Sequence, residues 1–181
     1  TEHSFDMQPT AEQFTEKAWA GIVAAQQLAQ NARHQQLETE HLLLALLQQN
    51  GLAGRILTKA GVDASSFQAS VEAHLTRQPS MTTVPESVFL GRSLNASLDR
   101  AEQQRDSFGD SYIAIEHLLL ALANDDRCGR QLLAHTGVDS SKLKEAITAV
   151  RGNQAVTDQN PEATYESLEK YGRDLTSAAR D

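Results

Sequence analysis

The sequence contains few cysteines and few aromatic residues. Cys128 is the single cysteine among 181 residues, and aromatic side chains make up only 5% of the chain. One cysteine excludes an internal disulfide and a thiolate metal cluster, and it suits a reducing compartment. Hydrophobic residues still make up 40% of the chain, and many of them are Ala and Leu. This composition favours an all-helical core built from small and branched aliphatic side chains.

Long apolar runs and basic runs are also missing. No stretch approaches the roughly 20 apolar residues that a bilayer-spanning helix needs, and no secretory signal pattern is visible. The 16 basic residues are outnumbered by 24 acidic ones, which gives a net charge of −8. Nucleic acid and anionic membranes are therefore poor partners for this chain. Together these absences predict a cytoplasmic protein.

The clearest positive feature is a seven-residue block that occurs twice. The block Glu-His-Leu-Leu-Leu-Ala-Leu stands at 40–46 and again, unchanged, at 116–122. The same offset of 76 residues maps Gly-Val-Asp at 61–63 onto 137–139. Two separate landmarks thus agree on one register. An internal repeat of this kind predicts two copies of one small helical unit.

Each copy is predicted to contain four helices. Apolar residues recur at intervals of three and four, and no strand pattern competes with this interpretation. Thr15 is the expected N-cap of the first helix, and Gly61 is the expected left-handed residue after the third. The predicted helices span 15–34, 39–49, 52–60 and 63–77 in the first copy, and 87–108, 114–124, 129–135 and 139–151 in the second.

These helices predict an all-α fold in which two four-helix repeats, at about 14–77 and 88–151, form one globular domain. Each repeat would cover the Leu-rich face of the other. We expect the domain to span 7–151. Residues 1–6 precede a methionine and are interpreted as a remnant of cloning. Residues 152–181 are interpreted as a linker, with a polar, mobile first part and a further helix at 162–180.

Motifs of catalytic sites are missing. His41 and His117 each follow a glutamate, but adjacent helical side chains point about 100° apart, so neither pair chelates a metal as it stands. The sequence has no His-Glu-x-x-His or cysteine–histidine zinc spacing. It also lacks Gly-x-Ser-x-Gly and Gly-x-x-x-x-Gly-Lys-Ser/Thr. We therefore predict a binding module without catalytic residues, a metal or nucleotide hydrolysis.

Several segments resemble the amino-terminal domain of the Clp family of AAA+ unfoldases. They are Phe-Thr-Glu-Lys-Ala at 14–18, both Leu-rich blocks and both Gly-Val-Asp turns. The segment 168–176 is similar to the part of the ClpB subfamily that leads into the first ATPase module, and the opening 7–10 resembles cyanobacterial members. The resemblance implies two four-helix repeats related by a pseudo-twofold axis.

The resemblance also implies a function. ClpB chaperones are homohexameric rings that use ATP and Mg²⁺ to extract polypeptides from aggregates, with the DnaK system as partner. This chain would be the substrate-recognition domain, which binds unfolded or aggregated polypeptide and helps to deliver it to the pore. As a fragment it would be a monomer without a cofactor. The alternative is an adaptor-docking domain of the ClpC or ClpA type; an independent hydrolase or metal enzyme would require the missing motifs.

Within the family, three polar positions are associated with substrate handling, and they match Thr15, Asp110 and Glu116. Each also has a structural explanation. Thr15 would cap a helix, Glu116 in a first helical turn would favour the helix dipole, and Asp110 would hold the preceding loop. In the first repeat Glu40 takes the position of Glu116, but His34 replaces Asp110.

The family further implies a hydrophobic groove for apolar segments. The candidates are Val88, Phe89, Leu90 and Leu94, which flank the linker between the repeats. More apolar side chains cluster there than one helix face can bury. The alternative is that Leu90 and Leu94 are ordinary core residues of an amphipathic helix.

Overall fold

The computed structural model describes residues 9–162 and 165. These residues contain eight α-helices and one two-stranded sheet, which confirms the all-α fold class. A short 3-10 helix (Ala11–Gln13) precedes the first repeat. The first repeat comprises α1 (Glu16–Asn31), β1 (Gln36–Leu37), α2 (Thr39–Gln48), α3 (Leu52–Lys59) and α4 (Ala64–Thr76). The second comprises β2 (Phe89–Leu90), α5 (Arg92–Ser107), α6 (Ile115–Ala123), α7 (Gly129–Ala134) and α8 (Ser140–Arg151).

Local sequence signals explain where several helices begin and end. Thr15 Oγ1 accepts a hydrogen bond of 3.2 Å from the Ala18 N–H, which confirms its N-cap role. Asp139 caps α8 in the same way by accepting from the Lys142 N–H. Gly61, after α3, has a φ of 96°, a left-handed conformation that favours glycine.

The centre of the domain is formed by the two Leu-rich helices. Every residue of α6 is buried, and so is every residue of α2 from Thr39 to Leu47. Helix α1 packs on α2 and α5 packs on α6, while α3 of the first repeat packs on α8 of the second. The predicted core position of both Leu-rich helices is therefore confirmed. None of the described helices is both long enough and apolar enough to cross a membrane.

Two short parallel pairings cross between the repeats. Strand β1 pairs with β2, with Leu37 opposite Leu90, and Phe14 pairs with Ile113. The 76-residue offset converts one pair into the other, because it relates Phe14 to Leu90 and Leu37 to Ile113. The pairings therefore obey the expected pseudo-twofold relation. In each repeat, the segment before the first helix pairs with the segment before the second helix of the other repeat.

The prediction of one helix over 87–108 without any strand is wrong at its start. Helix α5 begins only after Gly91, and the residues before it are extended in β2. Glu38 of the first repeat explains the break, because its carboxylate accepts hydrogen bonds from the N–H and hydroxyl of Ser93. A Cβ atom at position 91 would overlap that carboxylate. Glycine thus permits a close approach that fixes β2 to the first repeat.

Residues 152–161, which we predicted to be mobile, pack against the domain instead. Val156 is fully buried, and its N–H donates to Asp110 Oδ1 at 2.9 Å. The carbonyl of Gln159 accepts a hydrogen bond of 2.7 Å from the Glu16 N–H. These contacts come from single residues that do not recur with a helical period, so the sequence pattern did not predict them. Most of the helix predicted at 162–180, and the ClpB-like segment within it, lies outside the described residues.

Candidate functional site

The three polar residues associated with substrate handling lie in a buried network. Thr15, Asp110 and Glu116 are 0%, 8% and 1% exposed. Arg151, at the end of α8, joins two of them. Its Nη1 and Nη2 donate to the two carboxylate oxygens of Asp110 at 2.8 Å, and Nη1 also donates to Glu116 Oε2 at 3.1 Å. Such a bidentate pair fixes both side chains in position.

Asp110 accepts further hydrogen bonds besides those from Arg151. His117 Nδ1 accepts from the Ala114 N–H at 2.8 Å, so the ring proton lies on Nε2, which donates to Asp110 Oδ2 at 2.7 Å. Burial by itself raises the pKa of Asp110. The hydrogen bonds from Arg151, His117 and the Val156 N–H outweigh burial and hold that pKa well below its usual range.

Thr15 binds the segment that follows α8. Its hydroxyl donates to Glu162 Oε2 at 2.8 Å, and burial raises the pKa of Glu162. The ring of Tyr165, also buried, lies 5.9 Å from the Arg151 guanidinium. The network thus ties the end of the described chain to the starts of α1 and α6. In this arrangement Thr15, Asp110 and Glu116 support the fold, and their polar atoms do not face solvent.

The equivalent positions of the first repeat form a second cluster. His41 Nδ1 accepts from the Glu38 N–H at 2.9 Å, so its Nε2 donates to His34 Nδ1, also at 2.9 Å. The pKa of His41 is lowered to about 4, chiefly by burial and also by His34 and Arg127, against the opposing effect of the Glu40 charge. A histidine pair therefore replaces the Asp–His pair of the second repeat.

Arg127 belongs to the second repeat but binds the glutamate of the first. Its Nε and Nη2 donate to the two carboxylate oxygens of Glu40 at 2.8 and 2.9 Å. Burial raises the pKa of Glu40, but the bonds from Arg127 outweigh it and lower the pKa. Nη1 of Arg127 lies 3.7 Å from Glu38, and Nη2 donates to Gln78 at 3.3 Å. Arg127 therefore connects the two repeats and the linker between them.

A polar cleft opens beside the second cluster. Its volume is about 410 Å³, and His34, Glu38, Glu40 and Arg127 line it together with the linker residues 78–81. Most of the residues that line it carry a charged or amide group. The cleft therefore suits a polar or charged group better than an apolar polypeptide segment.

The four residues predicted to form a hydrophobic groove are placed differently from one another. Phe89 is 58% exposed, and Val88 and Leu90 are half-buried. Leu94 has no exposed surface and belongs to the core, which corrects its assignment to the groove. Two further apolar side chains of the linker are exposed as well. We refer to the apolar residues of this region as the β2 patch: Met81, Val84, Val88, Phe89 and Leu90.

Sequence reasoning missed the two arginines that organise the polar clusters. Arg151 did carry a signal, because it follows Leu143 and Ile147 at intervals of four on the buried face of α8. A charged residue on an apolar stripe predicts a buried ionic partner. Arg127 carries no such signal, since it lies in the turn before α7 and its partner belongs to the other repeat.

Family and sequence comparisons relate this chain to known proteins. The family model of the Clp repeat (R) N-terminal domain matches residues 13–133. Over 175 residues the chain is 80% identical to Chaperone protein ClpB 1 of Parasynechococcus marenigrum (strain WH8102). That match covers 97% of this chain and 20% of the relative. The chain therefore spans about a fifth of the length of this curated relative.

Solved structures show the same fold. The Hsp104 N-terminal domain from Candida albicans has a TM-score of 0.75 and 25% sequence identity, over 83% of this chain and 99% of that one. A ClpV N-domain, solved in complex with a VipB peptide, has a TM-score of 0.62 over 76% of this chain and 86% of that one. Its identity is 16%, so this second likeness concerns the fold alone.

Proposed function

Because the chain belongs to the Clp N-terminal domain family, we propose that it recognises substrate for a ClpB-type disaggregase chaperone. It would bind unfolded or aggregated polypeptide and help to deliver it to the pore of a cytoplasmic homohexamer that works with the DnaK system. ATP and Mg²⁺ would be bound by the AAA+ modules, because this sequence has no phosphate-loop motif. In this proposal the domain spans 7–151, and 152–181 lead toward the first AAA+ module.

The observation that carries the proposal is the exposure of the β2 patch. Phe89 exposes more than half of its surface, and large exposed apolar side chains in a cluster are typical of interaction sites. The repeat offers a comparison, since the offset relates Phe89 to Gln13. The fold therefore accepts a polar residue at this position. An apolar residue in the second repeat alone is better explained by binding than by packing.

Strand β2 also offers a backbone edge beside this patch. The N–H groups of Phe89 and Gly91 donate to the carbonyls of Gln35 and Leu37 at 2.8 Å. Backbone groups alternate in direction along a strand, so those of Leu90 point away from β1. In the described part of the chain the sheet has two strands only. An extended polypeptide could add to this edge while its side chains contact Phe89.

The net charge of the chain predicts which polypeptide segments bind, and the conformational entropy of the polypeptide predicts how tightly they bind. A net charge of −8 repels acidic segments and favours those that mix apolar and basic residues. Binding should be weak, because a mobile polypeptide loses conformational entropy when it docks. Weak binding also suits a domain that must release its substrate. Thr15, Asp110 and Glu116 would act by holding the second repeat in place, because their side chains are buried.

An NMR titration with an unfolded model protein tests this proposal. We expect shift changes confined to 81–91 and β1, and several-fold weaker binding by Phe89→Ala at an unchanged midpoint of thermal unfolding. Val23→Ala is the matched control, because Val23 is 50% exposed and lies on α1 outside the β2 patch. Shift changes spread over the whole domain, or an equal loss of binding in both variants, would contradict the proposed site.

A pull-down experiment distinguishes this function from the alternative one. An adaptor-docking domain would bind folded ClpC- or ClpA-type adaptors and would not discriminate in favour of unfolded polypeptide. We expect a pull-down to retain the unfolded model protein and not the folded adaptors. Retention of the adaptors alone would favour the docking function instead.

A further inference from the structure

A group of three side chains outside the β2 patch has the composition of a metal site. Glu40 on α2, His74 on α4 and Cys128 at the start of α7 each place one ligand-type atom within 4.8 Å of the others. Carboxylate oxygen, imidazole nitrogen and thiolate sulfur are the ligands that Zn²⁺ takes in proteins. We propose that these three residues bind a divalent transition-metal ion, with Zn²⁺ as the best match, at the junction of the repeats.

The fold holds the ligands in place before any metal arrives. Glu40 and Cys128 are each 1% exposed, and His74 is half-buried. The Cys128 N–H donates to Asp125 Oδ2 at 2.9 Å, which fixes the backbone that presents the thiol. Cys128 Sγ lies 3.9 Å from Glu40 Oε1. Bond lengths of about 2.3 Å to sulfur and about 2.0 Å to oxygen place two tetrahedral ligands about 3.5 Å apart, so this pair of ligands needs only a small adjustment.

The charges around the site favour a divalent cation. Glu38, Glu40 and Asp125 lie near the site; the Arg127 guanidinium contacts Glu38 and Glu40, whereas Asp125 accepts from the Arg127 backbone N–H. On metal binding the S–H bond breaks, the sulfur–metal bond forms, and the proton leaves to solvent.

Of the three ligands, Glu40 also forms part of the wall of the polar cleft of about 410 Å³. The Nε2 of the half-buried His74 is 3.3 Å from the Gln78 side-chain amide. Glu40 can bind the ion through one carboxylate oxygen and still accept hydrogen bonds from Arg127, as metal-binding carboxylates commonly do. Three protein ligands leave a fourth position for water.

The pseudo-twofold relation shows that this set is not a requirement of the fold. The offset relates Glu40 to Glu116, but it relates His74 to Val150 and Cys128 to Leu52. The Glu116 network of the second repeat therefore keeps the glutamate and has apolar residues at the other two positions. Since packing is satisfied there without an imidazole or a thiol, the presence of His74 and Cys128 beside Glu40 has a different explanation.

A titration of the chain with Co²⁺ tests the proposal. Co²⁺ accepts the same ligands as Zn²⁺ and reports on them, because thiolate coordination gives a sulfur-to-cobalt charge-transfer band and tetrahedral geometry gives strong visible bands. We expect both signals to saturate at one Co²⁺ per chain and to disappear when Zn²⁺ is added. Zn²⁺ should also raise the midpoint of thermal unfolding, since it binds the folded state.

Three variants make the test decisive. His74→Ala removes a half-buried ligand, so the chain should fold, lose the visible bands and bind Zn²⁺ at least about tenfold more weakly. Cys128→Ser should lose the charge-transfer band; if it fails to fold, His74→Ala still decides. His135→Ala is the control, because His135 is exposed and outside the site. A wild-type chain without the charge-transfer band, or unchanged Zn²⁺ affinity in His74→Ala, would overturn the proposal.

Discussion

Arg127 binds Glu40 across the boundary between the repeats, whereas the equivalent Glu116 is bound by Arg151 from its own repeat. Neither arginine has a counterpart, because the offset places a glycine and a leucine at the corresponding positions. Both glutamates are buried and each pairs with an arginine, but the fold does not prescribe which repeat supplies that arginine. Both Leu-rich helices therefore contain this glutamate, but each glutamate pairs with a different arginine.

Replacement of Arg151 by Met should be strongly destabilising. The change leaves Asp110 and Glu116 buried without their cation, and breaking a buried ion pair typically costs about 3–5 kcal/mol. Urea denaturation measures the effect. Arg130→Met is the matched control, because Arg130 and its partner Asp126 are 60% and 73% exposed, and exposed pairs contribute at most about 1 kcal/mol. Equal losses in both variants would show that the buried network does not stabilise the domain.

Stability should fall when the pH is lowered from neutral to about 4. His41 has its pKa lowered from 6.5 to about 4 in the folded chain, so the unfolded chain binds more protons between these values. Its contribution is present above pH 6.5 and is lost as the pH approaches 4, by up to about 1.4 kcal/mol per pH unit. Urea midpoints across this range, compared with those of a variant at position 41, measure the loss.

His41→Asn is the variant for that comparison, because the Asn amide oxygen can still accept from the Glu38 N–H but does not titrate. It should be less stable at neutral pH and show a flatter pH dependence than the wild type. His135→Asn, which changes an exposed histidine, should keep the wild-type slope. If His41→Asn and the wild type had parallel profiles, burial of His41 would not be the origin of the pH dependence.

Truncation of the Leu-rich helix of the second repeat should show its core position. Leu119 and Leu120 are 3% and 1% exposed, and replacing a buried Leu by Ala costs about 2–5 kcal/mol. Chemical denaturation should show at least one of the two changes to be severe. Leu132→Ala serves for comparison, since Leu132 is only partly buried and should lose less. Unchanged midpoints for both Leu119→Ala and Leu120→Ala would contradict the burial assignment.

Substitution by alanine should change the stability of the domain in opposite directions at two glycines. A Cβ at Gly91 would overlap the Glu38 carboxylate, whereas a Cβ at Gly54, inside α3, meets nothing within 4 Å. Gly91→Ala should therefore destabilise the domain, while Gly54→Ala should be neutral or stabilising by up to about 1 kcal/mol. Thermal unfolding of both variants measures the contrast. A destabilising Gly54→Ala and a neutral Gly91→Ala would contradict the described contact.

The features predicted correctly from sequence are those with a local or periodic cause. The Leu-rich helices, the cap at Thr15 and the turn at Gly61 each follow from neighbouring residues. The start of α5 was missed because it depends on Glu38, which lies more than fifty residues away in sequence. The burial of Asp110 was missed for the same reason, since Asp110 lies between α5 and α6 and Arg151 reaches it from the end of α8. Long-range polar contacts leave little periodic trace in a sequence.

The candidate sites also differ in how far the sequence alone predicts them. Exposure of Phe89 was anticipated because the apolar residues around the linker exceed what one helix can bury. Leu94, only a few residues further on, follows the ordinary amphipathic period of α5 and is core. The group formed by Glu40, His74 and Cys128 was not foreseen, because metal-site motifs rely on short spacings and these residues come from three separate elements.

The crossed pairings of Phe14 with Ile113 and of Leu37 with Leu90 have a consequence for the integrity of the domain. The domain therefore resembles a domain-swapped homodimer whose two chains are joined into a single polypeptide. Each repeat pairs with an extended segment of the other repeat. Proteolytic cleavage within the linker at 78–85 should therefore not release two independent halves. The nicked product should migrate as one particle until denaturant separates the fragments, and either fragment alone should remain unfolded.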